Sequence, residues 1–430
     1  MHLEHNADEA LHEVDIAALP LGGLATVLFL GVTAGVQMSD RGLHAILSPA
    51  IKLRFGVGDA VMGALHGIAG ILIASALAVP LARLADRYSR KHILLALIAG
   101  WGLLTAVGAL APNFALFFLG RAASGVTEFA MIPVVYSLIP DLVGERWRVA
   151  SNLMFAALMA IGSSAGFYLG GAFLDFAVRS GFPGAGFALE PWRAALLMLS
   201  LACLPLLLIG MATVDPARKN SSGAAVAQSP LRSFVQSRAR EILLFLGAAG
   251  GLAIAVQATV PMIAMAIQRR FSADLGEIGH ALGMITLFTS LGSLPLAGLF
   301  DRTLRERIGA RARPIVMAIT TALAMPCALA IGFAQTEYGT LAFVAAFVLM
   351  TCIANALIPT MLQDLVPADL RARGFAIYSF LIAAFCAVGP VLSGGISQYL
   401  LADNLLGAIA ITAVPALGIA LLSASLSGRR

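Results

Sequence analysis

Charge is scarce in this sequence. Asp, Glu, Lys and Arg make up 12% of the 430 residues, about half the share of a soluble domain, against 59% hydrophobic residues. The apolar residues fall in runs of about twenty or more instead of amphipathic stripes, which excludes a soluble globular class and places the chain in a bilayer. Only four cysteines occur, and Cys203, Cys327, Cys352 and Cys386 stand apart in apolar runs without metal-ligand spacing, so they read as small packing residues. There is no Gly-x-Ser-x-Gly, no Walker-type glycine loop and no set of paired histidines and carboxylates within the apolar runs. A nucleophile-based or metal-dependent membrane enzyme is therefore not expected, and neither is ATP as an energy source. Residues 1–18 hold Glu4, Asp8, Glu9, Glu13 and Asp15 but no Lys or Arg, so they lack the basic start of a secretory signal and read as a cytosolic tail. A net charge of +5 would suggest nucleic acid in a soluble protein. Here the basic residues collect in loops between apolar runs, which is membrane topology and not a nucleic-acid surface.

The pattern predicts twelve spans, at roughly 20–46, 58–82, 92–111, 114–140, 148–177, 192–213, 241–267, 275–299, 313–334, 338–362, 372–400 and 403–426. Backbone polar groups in lipid must be satisfied within the segment, so these are helices. Loops after the even-numbered spans, with the C-terminus, hold about 20 Lys and Arg against about six on the other side, Lys52 and Arg54 among them. Both termini are accordingly expected in the cytoplasm, with the chain in a plasma membrane of the bacterial inner-membrane type. A polar segment from Asp215 to Arg240 separates two halves, giving an expected division into tail 1–18, bundle 19–213, linker 214–240 and bundle 241–430. The halves repeat one another: Asp141-Leu142-Val143 followed by Arg148 returns as Asp364-Leu365-Val366 followed by Arg371. The expected fold is an all-α membrane protein of two pseudo-symmetric six-helix bundles, an architecture that exposes a central site to each side of the membrane in turn.

Four ionisable residues interrupt the apolar runs, all in the first half: Asp40 and Arg41 in span one, Arg121 and Glu128 in span four. A mid-membrane charge costs at least about 2.5–3.5 kcal/mol, so such residues face a cavity and pair. Seven residues bring Glu128 back to the helix face of Arg121. Two acids and two bases can form a neutral structural network; the sharper reading is a pair of carboxylates that exchange protons as their surroundings change. His44, one turn after Asp40, and His66 in span two are candidate members of that path, with hydrogen-bonded packing as the alternative. The second half offers only Gln257, Asn355, Tyr378 and Ser379 as polar cavity candidates, among many apolar residues, which suits a substrate with one polar and one greasy end. Glu277 and His280 read as solvated groups at the start of span eight. Gly162 to Gly171 in span five and Gly389, Gly394 and Gly395 in span eleven let backbones approach closely; they read as packing, or as a flexing wall.

Leu84-Ala85-Asp86-Arg87-Tyr88-Ser89-Arg90-Lys91, after span two, resembles the Gly-x-Leu-Ala-Asp-Arg-x-Gly-Arg-Lys signature of the major facilitator superfamily, with a degenerate copy in Gly298-Leu299-Phe300-Asp301-Arg302. The resemblance implies a cytoplasmic charge latch in which Asp86, Arg87, Arg90, Asp301 and Arg302 hold or release neighbouring spans; a purely topological role is the alternative. Asp40-Arg41 and Arg121-x-x-x-Gly125-x-x-Glu128, with Pro133 and Asp141-Leu142, are similar to the corresponding runs of the spinster family of lipid exporters. Gln37-Met38-Ser39 and Phe129 depart from that family's pattern. The anion–cation symporter family shares the Asp-Arg and the span-four Glu, but its usual Trp-Phe is here Asp141-Leu142-Val143. The spinster resemblance implies a proton-coupled carrier of an amphipathic lysophospholipid or sphingoid-type molecule, working as a monomer without a cofactor. In it Asp40 and Glu128 would bind protons, while Arg41 and Arg121 would pair with them or with an anionic headgroup. Organic-anion symport, efflux of hydrophobic compounds and a non-transporting receptor remain the alternatives.

Overall fold

The computed structural model describes residues 21–77, 88–179, 189–213, 231–367 and 370–428. The tail 1–18, the linker residues 214–230, and Asp86 and Arg87 of the loop motif lie outside the described residues. Among the described residues twelve helices are long and apolar enough to cross a membrane: Gly22–Phe55, Asp59–Leu77, Arg90–Ala109, Phe114–Tyr136, Ala150–Phe176, Pro191–Ala212, Ala239–Phe271, Leu275–Ile308, Ala312–Phe333, Glu337–Leu365, Ile377–Leu400 and Leu405–Ser427. They are called spans one to twelve below.

Local chemistry fixes where several of them begin. The side chains of Asn113, Thr336 and Asn404 accept hydrogen bonds from backbone N–H groups of Leu116, Gly339 and Gly407, capping spans four, ten and twelve. Asp274 does the same for Gly276 and Glu277 at span eight. Two spans outrun their sequence-predicted ends. Span one continues to Phe55 and carries Lys52 and Arg54 on its last turns, and span eight continues to Ile308, so Asp301 and Arg302 sit on helix and not in a loop. Loss of hydropathy ends a membrane span but not a helix: 302–308 lacks glycine and proline, and Arg302 pairs with Glu306 one turn on at 3.5 Å.

Each half packs its own six spans, and the broadest seams between the halves set span five against span eight and span two against span eleven, with the end of span seven meeting span one. The close approaches are backbone to backbone. A Cβ on Gly63 would stand 2.2 Å from the Pro390 carbonyl, one on Gly67 2.3 Å from that of Ala387, and one on Gly279 2.7 Å from the Cα of Gly171. All lie in the part of the bundle nearest the one–two, seven–eight and eleven–twelve turns, called here the outer end after the orientation expected from the charge count. His280 is drawn into the five–eight seam, its ring 4.6 Å from that of Tyr168, so it is a packed group and not the solvated one expected; Glu277 is exposed.

Inside each half the repeat is visible as chemistry. Arg90 at the start of span three bonds Asp141 at the end of span four, and Arg313 at the start of span nine bonds Asp364 at the end of span ten, both across 51 residues. The same offset sets Val344 and Thr351 of span ten where span four has Arg121 and Glu128.

Candidate functional site

Spans one and four cross so that the four expected charges meet. Arg121 donates from Nη1 to Asp40 Oδ2 at 3.0 Å and stands 4.0 Å from Glu128 Oε2. Arg41 donates from Nε to Glu128 Oε1 at 2.5 Å. Glycine lets span two close on span four beside the charges: a Cβ on Gly125 would come within 2.9 Å of the Ala74 Cβ, and one on Gly70 within 3.4 Å of Arg121 Nη2. The span-four glycine thus admits span two, and the span-two glycine admits the guanidinium.

Burial separates the two arginines. Asp40 and Glu128 are fully buried and Arg121 is 5% exposed, whereas the Arg41 side chain is 32% exposed. The Arg41 guanidinium lies 4.6 Å over the Phe129 ring, so the phenylalanine that departs from the spinster pattern forms a platform for the exposed cation. Among the described residues Glu128 Oε2 has no hydrogen-bond donor, and both polar atoms of the buried Gln37, one turn before Arg41, likewise have no hydrogen-bond partner.

The two histidines part company. His44 Nδ1 is 3.1 Å from Asp40 Oδ1 and 2.9 Å from the Asp40 carbonyl oxygen, which puts it in the charge cluster. His66, on a π-helical stretch of span two, meets Ser48 at 2.8 Å, and Ser48 donates to the His44 carbonyl, so His66 is tied to span one through a hydroxyl. Of the second-half candidates, Gln257 is half-buried on span seven. Tyr378 packs its ring 5.5 Å from Phe245. Ser379 turns back to the Phe375 carbonyl, and Asn355 is exposed. An apolar groove of about 640 Å³ runs along spans one, five and six, lined by Val32, Val36, Leu43, Leu158, Phe173 and Met198; its span-one residues form a stripe on the face of that helix turned away from Arg41.

The latch residues that are described pair within their own halves. Asp301 receives the Arg313 guanidinium at 3.2 and 3.3 Å, sharing it with Asp364, while Arg302 points outward to Glu306. Asp301 thus pairs with the neighbouring span nine, while Arg302 pairs along its own helix; one helix carries both, and a step of one residue turns them to different faces.

Sequence reasoning missed a second charged cluster, at the outer end. Asp59, fully buried at the start of span two, is bonded by Lys52, Arg269 and Ser397. An acid at a span boundary reads as a solvated end group, and nothing local shows that the other half covers it.

The sequence profile of the Major Facilitator Superfamily matches residues 29–302 and 245–429. An MFS-type efflux pump of Mycolicibacterium smegmatis is 25% identical over 91% of this chain and 88% of its own length. Protein spinster homolog 1 of Rattus norvegicus is 28% identical over 65% of this chain, an alignment that takes in 54% of that longer protein. Among solved structures, a bacterial homolog of the human lysosomal transporter Spinster, in an inward-facing and unoccupied conformation, shares the fold over 96% of both chains with TM-score 0.77 at 16% identity. The nucleoside transporter NupG shares it at TM-score 0.68 and 16% identity, so the fold by itself does not name a cargo. With the profile matched along both halves and the twelve-span fold shared throughout, the chain belongs to the Major Facilitator Superfamily.

Proposed function

We propose that this transporter couples proton movement to carriage of an amphipathic molecule with an anionic headgroup and one greasy tail, of lysophospholipid or sphingoid type. The carrying observation is the unequal pair of arginines. Arg121 is committed to two buried acids; Arg41 holds Glu128 through Nε and keeps about a third of its side chain exposed. An anionic headgroup arriving at Arg41 competes with Glu128 for the same guanidinium. A buried carboxylate that loses its cation is neutralised by a proton, and Oε2, which has no hydrogen-bond donor among the described residues, is the oxygen free to take it. Proton and anion then bind together, and by linkage each tightens the other, which favours co-transport over exchange. His44 and Asp40 complete the path.

The full-length similarity to an efflux pump favours a second reading, export of hydrophobic compounds through the same cavity. Purified protein in liposomes separates the two. Uptake of a lysolipid that rises with an imposed pH gradient and carries protons in the same direction is expected; counter-movement of protons with cationic dyes, and none with lysolipids, would replace the lipid reading with the efflux one.

A further inference from the structure

Asp59 touches both halves at once. Its Oδ1 accepts from Lys52 Nζ at 2.5 Å and Arg269 Nη2 at 2.6 Å, and its Oδ2 from Arg269 Nη1 at 2.7 Å and Ser397 Oγ at 2.6 Å. Lys52 ends span one, Arg269 ends span seven, and Ser397 lies near the end of span eleven. Neighbouring bonds tie the same corner: Ala60 N donates to Gln398 Oε1 at 3.0 Å, and Arg269 Nη1 also donates to the Asp403 carbonyl at 2.8 Å. Small residues bring the elements this close, since a Cβ on Gly394 would stand 2.2 Å from the Asp59 carbonyl and one on Gly58 2.1 Å from Gln398 Oε1. The carboxylate also stands in the first turn of span two, where the helix dipole favours it.

We propose that Asp59 is the hub of an ionic lock that holds the outer end shut, and that Arg269 and Ser397 are the bolts withdrawn when the halves part. Separation at this end removes three of the four donors from Asp59 and leaves it Lys52, its partner within the same half. The bidentate pair, its carboxylate fully buried, is made only while the halves are together, so the lock acts on the closed state and not on the packing of either half. It rests on the transport reading only through alternating access and makes no use of the substrate or the proton.

The test reads the apo protein. Spin labels carried by non-canonical amino acids at the exposed positions Leu53 and Tyr399, one in each half, report the outer opening as a distance distribution. The short distance is expected to dominate in the unaltered protein. Asp59→Asn and Arg269→Gln should each raise the ratio of long to short distance by at least about tenfold. The double variant should do less than the sum of the two single ones, because both delete the Asp59–Arg269 pair. Lys52→Gln should shift the ratio less, since its partner is in its own half. Unchanged distributions in Asp59→Asn and in Arg269→Gln, with both eluting as monodisperse folded protein, would overturn the lock, and so would a Lys52→Gln shift equal to that of Asp59→Asn. A carrier that moves no lysolipid in liposomes yet shows these shifts would sink the substrate assignment and leave the lock standing.

Discussion

Arg41 reaches Glu128 with one nitrogen, Nε to Oε1 at 2.5 Å, from a guanidinium that is partly open while its acid is wholly enclosed. One end of this ion pair is exchangeable and the other is not. Removing either acid should therefore uncouple the carrier without unfolding it. Glu128→Gln and Asp40→Asn keep shape and hydrogen-bonding capacity but cannot gain or lose a proton. Both are expected to lose uptake driven by a pH gradient while retaining exchange of labelled for unlabelled substrate. Gradient-driven uptake at the unaltered rate in both variants would reduce the acids to structural groups.

The arginines should fail in different ways. Arg41→Ala is expected to weaken binding of an anionic lysolipid by roughly 10-fold or more, as expected for losing hydrogen bonds to a charged group, with thermal stability nearly kept. Arg121→Ala leaves two buried carboxylates without their shared cation, a loss of about 3–5 kcal/mol, and should lower the melting temperature sharply. Titration of ligand by intrinsic fluorescence, with a melting curve on each variant, distinguishes these outcomes.

The two histidines give a paired control. His44→Gln removes a titratable ring 3.1 Å from Asp40 and should alter the pH profile of uptake; His66→Gln can keep a hydrogen bond to Ser48 and should leave the profile in place. Equal effects of both on the profile would place His66 in the proton path as well.

Two glycines of similar crowding should differ in outcome because their neighbours belong to different halves. A Cβ on Gly162 would meet the Gly35 carbonyl at 2.0 Å within the first half, so Gly162→Ala should destabilise the protein by about 1–3 kcal/mol. Gly63→Ala meets Pro390 of the other half at 2.2 Å, and parting of the halves relieves that clash. It should thus open the outer end at little cost in stability, read by the labels at Leu53 and Tyr399.

Tail length tests the cargo. Affinity across lysolipids of one headgroup should rise by at most about 0.8 kcal/mol per added methylene until the apolar volume is full. A flat series, with binding abolished by Arg41→Ala, would favour a small organic anion.

Much of this was legible along the chain for one reason: in an apolar run, a single charge or a missing turn signal is conspicuous. Asp40, Arg41, Arg121 and Glu128 stood out by residue type alone, and the repeated Asp-Leu-Val strings marked the two halves that Arg90–Asp141 and Arg313–Asp364 later display as matching ion pairs. Helix ends past the hydrocarbon were less legible, because hydropathy stops reporting where the helix does not, as at Asp301 and Arg302.

What the sequence by itself determined was the solvent, the count of spans, the twofold repeat and the identity of the intramembrane charges, since each follows from the cost of placing polar groups in lipid. Only the tertiary structure decided which arginine is spent and which is exposed, which histidine touches an acid, and that Asp59 is enclosed by residues about 210 and 338 positions away. Partnership and burial depend on how the helices cross, and no local pattern records the far side of a seam that closes only when two bundles meet.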